Sequence, residues 1–101
     1  MESKKLEALL MAVDLGSFTK AAEVMGYTQS GLTHMMNSLE KDVGFPLLVR
    51  GRTGVRLTPA GQRVFPLVQE CLQGAEALER EILLINTHQE ESVRVAAYDS
   101  I

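Results

Sequence analysis

The sequence predicts a mainly α-helical fold, in which a small three-helix unit with a β-hairpin is followed by one long helix. Three observations predict it: two helical segments separated by only three residues, two short apolar runs joined by a glycine-containing loop, and a heptad pattern after residue 59. With 101 residues, 46% of them apolar and 5% aromatic, the chain has room for one small core and an extension.

Helix boundaries in the first 44 residues are marked by small polar residues and glycines. Ser or Thr is a common N-cap, and glycine is a common residue just after the last helical turn. The second and third helices are therefore predicted at about 18–25 and 29–42. The expected caps and stops are Ser3 and Gly16, Ser17 and Gly26, and Thr28 and Gly44.

The second and third helices have the spacing of a helix-turn-helix, because only Gly26-Tyr27-Thr28 separates them. Ala22 is small where the helices cross, and Leu32 can pack back on the core. On a helical wheel the third helix has a slender polar face that would fit a DNA major groove. A polar helix face can also be simply exposed to solvent. The spacing alone therefore does not decide between DNA binding and a solvated surface. Leu32, Met35, Met36, Leu39 and Val43 point inward, and Ser30, His34, Asn37 and Lys41 point outward, with Thr33 and Ser38 beside them.

The apolar runs 47–50 and 55–58 are predicted to pair as a hairpin around a loop at 51–54. The net charge of −3 disfavours a polyanion partner, but it is unevenly distributed. Residues 1–65 hold eight Lys or Arg and six acids, whereas residues 66–101 hold two Arg and seven acids. The hairpin carries Arg50, Arg52 and Arg56 in a stretch without acids, which predicts a wing that contacts the phosphate backbone or the minor groove.

A long helix is predicted from Thr58-Pro59 to about Thr87, with Thr as the cap and Pro in the first turn. Its apolar residues alternate spacings of 4 and 3 over three heptads, which is typical of a coiled coil. Pairing would give a homodimer and an inverted-repeat DNA site. Packing on its own domain is the alternative, above all for the N-terminal part of the seam. The seam consists of Val64, Val68, Cys71, Ala75, Leu78, Ile82 and Ile85.

These elements together resemble the N-terminal domain of LysR-type transcriptional regulators. The matching residues are Gly16-Ser17-Phe18, Ala21-Ala22, Thr28-Gln29-Ser30, Leu39-Glu40, Gly44, Leu47, Arg50 and Leu57-Thr58-Pro59-Ala60-Gly61. The resemblance implies a winged helix-turn-helix, a linker helix that dimerises and a C-terminal ligand-binding domain. The chain departs from the family at Gly31, where a small Ala is usual, at His34, where many relatives carry Arg, and at Leu48, often Phe.

We therefore expect sequence-specific binding of double-stranded DNA by a dimeric regulator. A helical dimerisation module without DNA binding is the rival function. The residues expected to read bases are Gln29, Ser30, Thr33, His34 and Asn37. Those expected to contact the DNA backbone from the helices or the wing are Ser17, Thr19, Lys20, Thr28, Ser38, Lys41, Arg50, Arg52, Thr53 and Arg56.

The expected domains are a winged helix-turn-helix at 1–58, a linker helix at 59–88 and the start of an effector-binding domain at 89–101. Residues 92–97 resemble the first strand of that domain, so we expect a fragment, with a naturally short regulator as the alternative. A small-molecule effector would bind only through the missing domain. A tetramer remains open for the full-length protein.

No catalytic constellation is recognisable, and we expect neither an enzyme nor a cofactor. A single cysteine, Cys71, excludes an intrachain disulfide or a cysteine metal cluster and fits a reduced, cytoplasmic protein. No apolar stretch approaches the ~20 residues of a membrane span.

Overall fold

The computed structural model describes residues 2–51 and 54–99, with side chains described for 2–51 and 54–88. In chain order the elements are α1 (Ser3–Leu15), α2 (Phe18–Met25), α3 (Gln29–Val43), β1 (Leu48–Gly51), β2 (Gly54–Leu57) and α4 (Pro59–Asp99). This order confirms the predicted winged helix-turn-helix followed by a long helix.

Most of the predicted helix boundaries are confirmed. The Ser17 and Thr28 side chains each accept a hydrogen bond from the backbone amide three residues later, at 3.2 and 3.0 Å. Gly26 ends α2 with a φ of 75°, a left-handed conformation that favours glycine and lets the chain turn directly into α3. The expected cap of α1 is wrong, because Ser3 is already helical and Glu2 precedes it without a side-chain hydrogen bond.

The core lies where α1, α2 and α3 cross, and β1 and the first part of α4 cover it. Ala8, Ala12 and Ala21 are fully buried, so these helices approach one another closely. The largest buried side chains come from α1, from α3 and from the residue before β1. They are Leu9, Leu32, Met36, Leu39 and Leu47.

The wing is an antiparallel pair in which Leu48 lies opposite Leu57. The Val55 amide donates a hydrogen bond to the Gly16 carbonyl oxygen at 3.2 Å, which attaches β2 to the start of α2. Gly54 has a φ of 110°, and a Cβ there would lie 2.5 Å from the same oxygen. Glycine therefore allows the close contact that holds the wing beside the N-terminus of α2.

α4 leaves the core part-way along its length. Phe65 is half-buried against the core and Leu72 is buried, whereas every residue from Glu76 to His88 is exposed. The helices in the described ranges include none with the length and hydropathy of a membrane span.

The predicted heptad seam is therefore not a single exposed face. Val64 and Val68 pack against their own core, Ala75 is half-buried and Cys71 is exposed, whereas Leu78 and Ile82 are about half or more exposed. The exposure of Leu78 and Ile82 follows from where α4 leaves the core, because every residue from Glu76 to His88 is exposed, whichever side of the helix it lies on.

The C-terminal end of α4 differs from the prediction. The helix continues beyond Thr87 to Asp99, so the strand predicted at 92–97 is wrong. An isolated strand would leave its backbone N–H and C=O groups without partners, whereas a helix pairs them within the segment. α4 therefore continues without interruption past residue 88, where the linker helix was expected to end and the next domain to begin.

Candidate nucleic-acid interface

α3 has one buried face and one exposed polar face, as its helical wheel predicts. Leu32, Met36 and Leu39 are at most 1% exposed, and Met35 and Val43 are half-buried against the same core. This packing holds the helix in a fixed orientation with its polar side outward. The exposed polar residues are Gln29, Ser30, His34, Asn37 and Lys41.

A cleft of about 410 Å³ lies between α3, the start of α2 and the wing. The backbone amides in the first turn of a helix lack partners within the helix, and they can hold a phosphate. The cleft thus brings predicted base-reading residues next to predicted backbone-contacting residues. It is lined by Gly16, Ser17, Phe18, Thr19, Gln29, Thr33, Arg50, Gly51, Gly54 and Val55.

Arg50 connects the wing to the two neighbouring helices. Its Nη2 donates a hydrogen bond to Asn37 Oδ1 at 2.7 Å and lies 3.8 Å from Glu40 Oε1. Its guanidinium carbon lies 4.9 Å from the centre of the Phe18 ring, which is a cation–π distance. Arg50 is among the residues expected to contact the DNA backbone, but in the structure its charge is engaged by Glu40 and Phe18.

Glu40 is a residue whose role in the interface the sequence analysis did not identify. Its Oε2 accepts hydrogen bonds from the backbone amides of Leu47 and Leu48, at 2.6 and 3.0 Å. Glu40 therefore fixes where β1 begins relative to α3. The sequence signal is an acid near the end of a helix, followed by a Gly44 stop and a Pro46 turn before an apolar strand.

Ser38 lies away from the cleft, on the side of α3 that meets α1. Its Oγ accepts a hydrogen bond from Lys5 Nζ at 2.9 Å, and the same ammonium pairs with Asp42 at 3.0 Å. The structure thus gives Ser38 a partner in α1. Thr19, Lys20, Thr28 and Arg56 are exposed, whereas Arg52 and Thr53 lie outside the described residues.

Residues 3–62 match the family model described as "Bacterial regulatory helix-turn-helix protein, lysR family". The chain belongs to the LysR family. It is 34% identical over 100 residues to the probable HTH-type transcriptional regulator LrrA of Synechococcus elongatus, covering 99% of this chain and 34% of LrrA. It is 29% identical over 97 residues to the HTH-type transcriptional regulator HdfR of Salmonella newport, covering 96% and 35%. The LysR-type chain therefore spans about a third of the length of these curated relatives.

Solved structures of other LysR-type proteins share the fold. The CbnR_DBD–DNA complex aligns with a TM-score of 0.77 and 27% identity, over 83% of this chain and 97% of that chain. The BenM_DBD/catB site 1 DNA complex aligns with a TM-score of 0.80 and 29% identity, over 84% and 96%. CbnR, described as a LysR family transcriptional regulator, aligns with a TM-score of 0.76 and 28% identity, over 80% and 28%. The predicted fold class and the family resemblance are thus confirmed.

Proposed function

We propose that this chain is the DNA-binding part of a LysR-type transcriptional regulator and that α3 reads double-stranded DNA in the major groove. The observation that carries the proposal is the exposed polar face of α3, which adjoins a cleft formed with the start of α2 and the wing. Gln29 and Ser30 lie in the first turn of α3, the end that contacts base edges in helix-turn-helix proteins. Two proteins with a similar fold were solved as complexes with DNA, which supports DNA as the partner of this chain.

We further propose that two copies pair through α4. Leu78, Ile82 and Ile85 are 61%, 49% and 48% exposed in the single chain, and exposed apolar side chains in such a row are typical of an interface. A two-fold pair carries two copies of α3 and therefore requires an inverted-repeat site. Effector binding and a tetramer would involve the part of the relatives that this chain does not span.

A dimerisation module without DNA binding would use the same apolar side chains of α4. Dimerisation alone does not explain why the polar face of α3 adjoins the wing and the N-terminal turn of α2. For that reason the DNA-binding function is favoured, and as a bacterial regulator the protein would act in the cytoplasm.

The deciding experiment measures binding of the full chain to random-sequence duplex DNA at increasing salt concentration. Neutralising several phosphates predicts a steep linear fall of log affinity with log salt, by about 0.9 per phosphate contacted. Absence of binding even at low salt would contradict the proposal.

Selection from a random DNA pool then tests base reading. Gln29→Ala should relax the preference at one position in each half-site, and Gln73→Ala, an exposed glutamine on α4, should leave the selected sequence unchanged. A selected sequence without two-fold symmetry would contradict the dimeric arrangement.

A further inference from the structure

The hydrogen bond between Arg50 and Asn37 fixes which way the Asn37 amide faces. A guanidinium group only donates hydrogen bonds, so the atom 2.7 Å from Arg50 Nη2 must be the amide oxygen and not the nitrogen. The Nδ2 group consequently lies on the opposite side of the amide. Because Asn37 belongs to the exposed face of α3, its two Nδ2 hydrogens point away from Arg50 and are available to a ligand.

Arg50 is itself held from several directions, so it can impose this orientation. The Phe18 ring lies 4.9 Å from the guanidinium carbon, and Glu40 Oε1 lies 3.8 Å from Nη2. The other oxygen of Glu40 is anchored by the two backbone amides at the start of β1. The Glu40 carboxylate therefore fixes the start of the strand that carries Arg50. It also puts a negative charge next to the guanidinium group of Arg50.

We propose that Arg50 is a positioning residue for base reading: it turns the Asn37 amide so that only hydrogen-bond donors face the DNA. The proposal rests on the proposed function and deepens it. An Asn that reads adenine in the bidentate mode uses its oxygen as an acceptor and its nitrogen as a donor. Here the guanidinium group occupies the oxygen side, so Asn37 selects a base edge that offers an acceptor, which is a purine N7, guanine O6 or thymine O4.

If Arg50 holds the Asn37 amide, we do not expect its charge to neutralise a DNA phosphate as well. Its charge is offset by Glu40 and one of its N–H donors is taken by Asn37, whereas Arg56 on the paired strand is exposed. A phosphate contact and a positioning role differ in the salt dependence of binding. Loss of one phosphate contact lowers the slope of log affinity against log salt by about 0.9.

The first test compares Arg50→Met with Arg56→Met in the full chain bound to random duplex. Met keeps an unbranched apolar stem but removes the charge and the donors. We expect the slope to stay within about 0.3 of the unaltered chain for Arg50→Met and to fall by about 0.9 for Arg56→Met. A fall of about 0.9 for Arg50→Met would overturn the inference while leaving the proposed function intact. No binding by the unaltered chain at low salt would instead refute the proposed function.

The second test uses DNA selection with Arg50→Met, Asn37→Ala and the double variant. All three should lose the preference at the same base position, with a drop in affinity of about threefold to tenfold for the selected site. The double variant should lose no more than Asn37→Ala alone, because Arg50 acts through Asn37. Multiplicative losses, or loss of preference at different positions, would refute the positioning role. Circular dichroism at the assay temperature identifies any variant that is unfolded, and Arg50→Lys, which keeps a donor, should then restore part of the preference.

Discussion

α3 and residues 76–88 of α4 both expose a helical face, but the two faces differ in chemistry. On α3 the exposed side chains are polar, with His34 and Asn37 at the centre. On α4 the apolar side chains of Leu78, Ile82 and Ile85 follow one face and are 48–61% exposed. A polar face is stable in water, whereas an extended apolar face favours a permanent partner. The polar face of α3 therefore suits a ligand that binds reversibly, and the apolar face of α4 suits a partner that stays bound.

The largest effect expected from this comparison is on dimerisation. Ile82→Asp places a carboxylate in the apolar row, where pairing would remove it from water without a cationic partner. We expect the dimer dissociation constant to rise at least about 100-fold, which corresponds to about 2.7 kcal/mol. Sedimentation equilibrium across a range of protein concentrations measures this change.

Gln73→Asp is the matched control, because Gln73 is exposed on α4 and lies on the helix side opposite Leu78. It should leave the dissociation constant within about threefold, a difference of about 0.65 kcal/mol. If the dimer dissociation constant of Ile82→Asp equals that of the unaltered chain, the apolar face of α4 is not the pairing surface.

A smaller effect is expected on the polar face, at His34. In the proposed function the exposed His34 imidazole contributes one hydrogen bond to DNA from the centre of the polar face of α3. His34→Ala should therefore lower DNA affinity by about threefold to tenfold, as for the loss of one hydrogen bond. Fluorescence anisotropy at constant pH and ionic strength measures this change.

The second histidine provides the control for that experiment. His88 is exposed on α4, outside the polar face of α3, so His88→Ala should leave DNA affinity unchanged. If His34→Ala binds DNA as tightly as the unaltered chain, His34 makes no contact with DNA that contributes to affinity.

The sequence was sufficient for most of the fold because local residues set the helix ends and the turn. Thr28 caps α3 and Gly26 takes the left-handed conformation, and both effects depend on a few neighbouring residues. The 3.6-residue period of an α-helix likewise predicted which face of α3 is exposed. The same reasoning failed at 92–97, because alternating apolar residues do not form a strand without a partner strand.

The interactions that the sequence did not predict join residues far apart in the chain. Arg50 meets Asn37 across thirteen positions, and Lys5 meets Ser38 across thirty-three. Such contacts depend on how the wing and α1 pack on α3. The spacing of apolar residues along the sequence does not predict this packing. The division of the α4 seam was expected only as an alternative, because a heptad pattern does not tell which turns face the chain's own core.

The smallest effect is expected at Gly31, in the first turn of α3. Replacing a glycine inside a helix by alanine usually stabilises by about 1 kcal/mol. Here the new Cβ would lie 2.9 Å from Thr28 Oγ1, the atom that accepts the capping hydrogen bond from the Gly31 amide. We expect the displaced cap to offset most of the gain, leaving Gly31→Ala within about 0.5 kcal/mol of the unaltered chain.

Urea unfolding at one fixed protein concentration measures this difference, and a double-mutant cycle isolates its cause. With Thr28→Ala as the background the hydroxyl is gone, so Gly31→Ala should then stabilise by nearly the full ~1 kcal/mol. A gain of that size with Thr28 in place would show that the cap tolerates the methyl group. In that case the capping hydrogen bond of Thr28 does not explain the glycine at position 31.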